Sequence, residues 1–472
     1  MDDKWSEFMG FPSCRPDIWE ELRQGEAKLR RLAFYDNLTG LPNRTYLLHL
    51  LEEMAASCQG AVISIDLNNF QTVNDSMGED CGDLLLQQVA GRLRESLDES
   101  CVLARTSSDE FVAVCPAMTP ERLNISGWVG NMAEMFRDPF VVKEQSCHLS
   151  ASFGVAMYPK HGTSATQVMQ HANVALYEVK KRGKKGWVLF EPSMKQRLQR
   201  KTTLEQNLYQ ALKNEEFFLE YQPVVDPRTR EVIQLEALVR WHRLKEGIIS
   251  PGDFIPLAEE NGLIEAIGLW VLEEACAYAV ELRKATGRNL RMAVNVSAKQ
   301  IEQAGFVCQV LDVLERTGLP PSALELEITE SLLIASFDKA VKVLHELGDA
   351  GVRFSLDDFG TGYSSLTYLT KLPIHTVKLD KTFIQDIQND PVFEAVVRSV
   401  IEMSHHLSLR VVAEGVESRE QFRHLCKLNC DYLQGYWFSP PLPQGKIRRF
   451  LDLWTAQRLC HLWFVEESSG PS

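Results

Sequence analysis

At 472 residues, 45% hydrophobic and 24% charged, the chain has the make-up of a soluble globular protein long enough for two or three domains. Its formal net charge of -14 argues against non-specific binding to a nucleic acid polymer or an anionic membrane, though not against a small anion whose charge a metal offsets. The 11 cysteines are odd in number, scattered and without a CxxC pair, which is the thiol usage of a reducing cytosol; no signal-peptide pattern opens the chain, and no stretch reaches the roughly 18 apolar residues of a membrane span.

Residues 17–35 read as a helix with Trp19, Leu22, Leu29, Leu32 and Phe34 as a loose apolar stripe. Such a helix could pair with a copy of itself, follow an upstream domain or dock on its own domain. Residues 30–192 form the first predicted domain, after a lead over 1–29. Ala61–Leu67 is a strand and Asp83–Leu97 an amphipathic helix. Val102–Arg105 and Phe111–Cys115 are short apolar runs flanking a polar turn, a hairpin signal. His148–Tyr158 is a strand, Ala172–Lys181 a helix and Trp187–Phe190 a last strand. This is an α/β pattern. Residues 193–213 hold no proline or glycine and are rich in helix formers, which predicts a helical connector able to transmit orientation.

The second predicted domain runs over 214–455, before a tail at 456–472. Strands are expected at Phe217–Tyr221, Val232–Trp241, Arg291–Val296, Leu324–Ile328, Val352–Leu356, Thr376–Leu379, Arg410–Ala413 and Tyr432–Phe438. Helical patterns such as Asn261–Leu282, Phe337–Ala350 and Pro391–Leu407 lie between them. About eight strands in roughly 240 residues suit a (β/α)8 barrel, with an open doubly wound sheet as the alternative on rhythm alone.

In such barrels the catalytic groups sit at the C-terminal ends of the strands. Those ends carry Glu236, Asn295, Glu327, Asp357 with Asp358, Lys378 with Asp380, Glu414 and Gln434. Taken singly, each has a bland reading as an outer-face acid, a salt-bridge partner or a solvated turn. Taken together, so many carboxylates around one lysine would be costly to hold without bound cations. Oxygen donors suit Mg²⁺ or Mn²⁺, and the lack of histidine argues against zinc. Asp358-Phe359-Gly360 also spells the DFG of protein kinases, but no glycine-rich loop, VAIK-like lysine or HRD loop precedes it.

The segments Glu236-Ala237-Leu238-Val239-Arg240-Trp241, Asn295-Val296-Ser297, Glu327-Ile328-Thr329-Glu330-Ser331, Asp357-Asp358-Phe359-Gly360-Thr361-Gly362, Lys378-Leu379-Asp380, Glu414-Gly415-Val416-Glu417 and Gln434-Gly435-Tyr436 resemble the EAL family in order and spacing, over roughly residues 204–452. The resemblance implies hydrolysis of cyclic di-GMP to linear pGpG, a barrel with one antiparallel strand, two Mg²⁺ or Mn²⁺ ions and a homodimer. It assigns one metal to Glu236, Asn295, Glu327 and Asp357, and the other to Asp357, Asp358 and Glu414. It gives Lys378 the attacking water, and Leu238, Arg240 and Gln434 the substrate. Glu330 would stabilise the loop after the paired aspartates, from Phe359 to Leu366. A non-hydrolysing cyclic di-GMP receptor remains an alternative, disfavoured because every carboxylate is present.

Asp36-Asn37-Leu38-Thr39-Gly40-Leu41-Pro42-Asn43-Arg44, Asn74-Asp75, Gly82-Asp83, Asp109-Glu110-Phe111 and Ser152-Phe153-Gly154 resemble GGDEF domains, the diguanylate cyclases, over roughly residues 30–192. The signature turn is degenerate, with Ser107 and Ser108 in place of two glycines. Their side chains are expected to strain the turn and crowd a nucleotide phosphate. Asn68, Gln71, Asn173 and Lys184 are further departures, and Asp98 and Cys101 stand where an inhibitory RxxD would be. By resemblance Asn74 and Asp83 would contact guanine, and Asp66 and Asp109 a metal. Cyclase activity is therefore expected to be absent or weak, which disfavours a bifunctional enzyme. GTP could still bind as an allosteric ligand, and a purely structural domain is the other reading.

Overall fold

The computed structural model describes residue 25 and residues 28–117, 124–330, 337–360 and 371–455, apart from 182, 184, 185 and 245. The expected leading helix is seen over residues 28–34; its earlier part lies outside the described residues. Two compact units divide between Arg200 and Lys201. The helix Pro192–Ala211 runs across that division, with Met194 in a core of the first unit and Leu204, Leu208 and Ala211 in the core of the second.

In the first unit the strands are β1 (Gln59–Asn68), β2 (Val102–Arg105), β3 (Glu110–Ala117), β4 (Phe140–Val142), β5 (Gln145–Cys147), β6 (Ser150–Tyr158) and β7 (Gly186–Leu189). They form a sheet of order β2-β3-β1-β6-β7, with β4 and β5 as a separate hairpin. The central strand β1 is buried from Gly60 to Asn68, because its two faces feed two cores. Ile63 and Ile65 pack with Leu85, Val89, Trp128 and Met132 on one side. Val62 packs with Leu47, Leu51, Met169 and Ala172 on the other. Cores on both faces explain why the strand is buried throughout, with Ser64, Asp66 and Asn68 included.

In the second unit the strands are β8 (Phe217–Asp226), β9 (Glu231–Arg243), β10 (Gly247–Ile249), β11 (Arg291–Val296), β12 (Leu324–Thr329), β13 (Arg353–Phe359), β14 (Thr376–Leu379), β15 (Arg410–Ala413), β16 (Tyr432–Gln434) and β17 (Leu442–Pro443). From β9 through β11 to β16 each neighbour is parallel, and β8 closes the circle by pairing antiparallel with both β16 and β9. This is an eight-stranded closed barrel with one reversed strand, and the open sheet is excluded. Two expectations shift. The pattern over Asn261–Leu282 belongs to one long helix, Ile264–Thr286, following a shorter one at Pro251–Glu260. The strand expected over Tyr432–Phe438 stops at Gln434. There Gly435 lies so close to Val416 that a Cβ would meet its carbonyl oxygen at 2.1 Å, which locks the end of β16 to the segment after β15.

Among the described residues, no helix is long and apolar enough to cross a membrane.

Candidate active site

Barrel closure turns alternate residues of each strand inward. At the C-terminal ends those inward residues include Glu236, Glu327, Asp357, Lys378 and Gln434, all buried. The Lys378 ammonium is 2% exposed and faces four carboxylates: Glu327 Oε2 at 2.7 Å, Glu414 Oε1 at 2.7 Å, Asp357 Oδ2 at 3.4 Å and Glu236 Oε2 at 3.5 Å. Gln434 Nε2 donates to Glu236 Oε2 at 2.6 Å, and Asn295 Nδ2 donates to Glu236 Oε1 at 2.9 Å.

One ammonium cannot neutralise four acids, and their proton affinities divide accordingly. Burial works against the charge of Glu236, but Lys378, Gln434 and Asn295 outweigh it and hold the carboxyl below its ordinary value. Burial, and then the charge of Glu236, push Glu327 well above its own. Burial also pushes Glu414 up to about 8, against the pull of Lys378. Lys378 is desolvated too, yet the surrounding acids hold its ammonium charged. The second carboxyl oxygen of Glu327 is buried and accepts no hydrogen bond among the described residues. The centre is short of positive charge and long in oxygen donors. No group of three His, Cys, Asp or Glu side chains among the described residues is gathered at metal-ligand geometry; the ammonium sits where such a group would converge.

Asp357 and Asp358 are placed by an irregularity. The β13–β14 register shifts between Leu356 and Phe359, and Asp358 has φ +54°. Regular strand neighbours point to opposite faces, so a bulge is what re-aims the second aspartate. Asp357 is buried while Asp358 is exposed. Burial, then Asp357 and Asp380, raise the Asp358 carboxyl. Asp380 itself is turned aside, and its Oδ1 caps the next helix by accepting from the Thr382 N–H at 2.9 Å.

Leu238 and Arg240 line a cavity of about 620 Å³ beside the mouth, with Asn295, Thr329 and apolar residues such as Ile255 and Ile267. The Arg240 guanidinium is engaged by Glu220 at 2.8 Å. Glu330 is buried just past β12; the loop it was expected to stabilise lies, from Thr361, outside the described residues. Sequence reading missed Gln222, whose Oε1 accepts from Gln434 Nε2 at 3.2 Å. The available signal was a buried amide inside the apolar run of β8.

In the first unit the acids find local partners. Asp66 holds Lys180 at 2.5 Å. Ser107 Oγ donates to Glu110 Oε2, and Ser108 Oγ to Asp109 Oδ1, each at 2.9 Å. Neither serine has positive φ, so the expected backbone strain is absent; the turn differs through its hydroxyls instead. Asn74 Oδ1 is buried without a hydrogen-bond partner among the described residues. It lies 1.8 Å from where a Cβ on Gly82 would stand, against the helix turn that carries Asp83.

Residues 205–441 match the EAL domain family, and residues 33–186 match the diguanylate cyclase GGDEF domain family. The cyclic di-GMP phosphodiesterase NbdA of Pseudomonas aeruginosa is 37% identical over 92% of this chain and 56% of its own length. The cyclic di-GMP phosphodiesterase PdeR of Escherichia coli is 37% identical over 92% of this chain and 65% of its own. The chain therefore spans less than two thirds of these relatives. The solved structure of the PaMucR phosphodiesterase in complex with c-di-GMP superposes with a TM-score of 0.50 at 41% identity, covering 52% of this chain and 99% of that one.

Proposed function

The chain belongs to the EAL family, with a GGDEF domain ahead of the barrel, and on that premise we propose that it hydrolyses cyclic di-GMP to linear pGpG. The observation that carries the proposal is the buried Lys378 surrounded by four carboxylates at the strand ends. That donor set fits hard divalent cations: it is all oxygen, it is short of positive charge, and one Glu327 oxygen is orphaned. Glu236, Asn295, Glu327 and Asp357 would hold one Mg²⁺ or Mn²⁺, and Asp357, Asp358 and Glu414 a second. Two such ions supply the Lewis acidity that activates water and offsets charge on the phosphoryl oxygens.

The side chains do the rest. The water oxygen bonds to phosphorus, the bond from phosphorus to the 3′ oxygen breaks, and a proton passes to that leaving oxygen. Lys378 holds the water by its ammonium, and the acids around it keep that charge in place. Gln434 and Asn295 fix the orientation of Glu236. Arg240 offers its guanidinium to a substrate phosphate in exchange for Glu220, and Leu238 packs on the substrate. In the first unit, hydroxyls occupying Glu110 and Asp109 favour a domain without cyclase activity. The free Asn74 acceptor beside Asp83 favours retained GTP binding that regulates the barrel.

The test is purified protein with cyclic di-GMP and either cation, read by chromatography. pGpG should appear with Mg²⁺ or Mn²⁺ and vanish with chelator. Tight binding of cyclic di-GMP with no pGpG under either metal overturns the enzyme in favour of a receptor. Calorimetry showing no GTP binding at millimolar nucleotide ends the regulatory part.

A further inference from the structure

Two cysteines of the first unit are placed by strand register. β2 pairs antiparallel with β3, Val102 opposite Val114 and Leu103 opposite Ala113. One step further along that register sets Cys101 opposite Cys115. The type of pair follows from the other end of the hairpin. There the Thr106 N–H donates to the Glu110 carbonyl at 3.0 Å, so those two residues are a hydrogen-bonded pair. Pair types alternate along an antiparallel ladder, which makes Cys101 and Cys115 a non-hydrogen-bonded pair. Two bonds agree with this phase. The Arg105 N–H goes to the Pro42 carbonyl and the Cys101 N–H to the Asp98 carbonyl, both away from β3.

In such a pair the Cα atoms are about 4.5 Å apart and the side chains at their closest. A disulfide spans Cα separations of roughly 4.4–6.8 Å. Both side chains lie on one face of the sheet, in the cluster that holds Leu103 and Ala113. Cys81 and Cys147 belong to the same cluster, from other elements of the unit, while Cys58 packs against the cluster on the opposite face.

We propose that Cys101 and Cys115 are a disulfide modification site, closed by a peroxide and reopened by a thiol reductant. Cys115 is fully buried and Cys101 half-buried, so Cys101 is the sulfur an oxidant reaches. The hydrogen bond from Cys115 also holds the Cys101 thiol below its ordinary value, which raises its thiolate fraction. The Cys101 sulfur attacks hydrogen peroxide, the O–O bond breaks, and sulfenic acid and one water form. The Cys115 sulfur then attacks the sulfenic sulfur, the S–O bond breaks, a second water leaves with the Cys115 proton, and the S–S bond forms. Two electrons pass from the thiols to the peroxide. The bond would staple the open end of the hairpin whose turn carries Ser107, Ser108 and Asp109.

The experiment treats the full folded chain with hydrogen peroxide, blocks remaining thiols with N-ethylmaleimide, digests without reductant and maps peptides by mass spectrometry. The expected result is a cross-linked peptide pair joined through Cys101 and Cys115, two hydrogens lighter than its parts and lost on reduction. Cys58→Ala should retain the link and Cys101→Ser should abolish it. Recovery of both residues unlinked, Cys101 oxidised to sulfinic acid without a cross-link, or Cys101 joined to another cysteine each overturns the proposal.

Discussion

The barrel mouth and the hairpin region of the first unit both gather acids at strand ends, and they treat them in opposite ways. In the mouth, one buried ammonium faces four carboxylates, and Glu327 and Glu414 are driven toward their neutral forms. In the first unit, Asp66 has Lys180, Glu110 has Ser107 and Asp109 has Ser108. A centre left short of positive charge is poised to take up cations. In the first unit burial also raises the Asp66 carboxyl against the pull of Lys180, but each acid there has its own local hydrogen-bond donor and so has less to gain from a cation. The same residue types at similar strand positions thus crowd around one buried ammonium in one unit and take separate local partners in the other.

The sharpest way to break this contrast is Lys378→Met. Removing the ammonium from four carboxylates, three of them buried, should destabilise the cation-free barrel by about 3–5 kcal/mol, read by denaturant unfolding in chelator, and Mg²⁺ should restore part of the loss. The matching change Lys180→Met removes a pair that is partly exposed and should cost no more than about 1 kcal/mol. Equal losses would erase the distinction between the two regions.

Glu236→Ala should lower cyclic di-GMP turnover by about 10²–10³-fold, the scale of losing a group that organises transition-state charge, while circular dichroism stays unchanged. Near-normal activity would refute its metal role.

At the opposite end of the barrel, Asp431 is a buried acid that is fully satisfied. It accepts from Arg410 at 2.7 Å, His405 at 2.7 Å, the Val411 N–H at 3.1 Å and Arg228 at 3.2 Å. Burial works to raise its carboxyl, but His405 and Arg410 win and hold it below 3.8. A depressed folded value stabilises the protein fully above the ordinary value and loses that contribution as pH falls through the folded one. Asp431→Asn should therefore cost roughly 2 kcal/mol at neutral pH, with the gap to the parent closing in acid. A gap independent of pH would show that the charge contributes nothing.

The smallest effect is expected from Glu330→Ala. As a residue that acts through a loop, it should lower turnover roughly tenfold with the metal dependence unchanged. Full activity would remove it from the site while leaving the carboxylates in place.

Much of the site could be read in one dimension. A lysine inside the short strand TVKL, Lys378, stands out because an otherwise apolar strand has no local reason to hold it, whereas Glu327 in LELEIT alternates with Glu325 and is marked only by its place at the strand end. Alternation and run length also located β11, β14 and β15. What sequence could not decide depends on partners far along the chain. Closure by the antiparallel β8 determines which side of every strand faces the interior. A register shift and a positive φ at Asp358, not the pairing of two aspartates as such, set how the two carboxylates sit. Asp380, next in line to Lys378, leaves the acidic set because the helix after it needs a cap. Arg240 is held by Glu220 across the β8–β9 ladder. The sequence therefore determined which chemical groups the barrel carries and at which strand ends. The tertiary structure decided which of them face one another, because side-chain direction in a closed sheet follows from non-local pairing and not from neighbours in the chain.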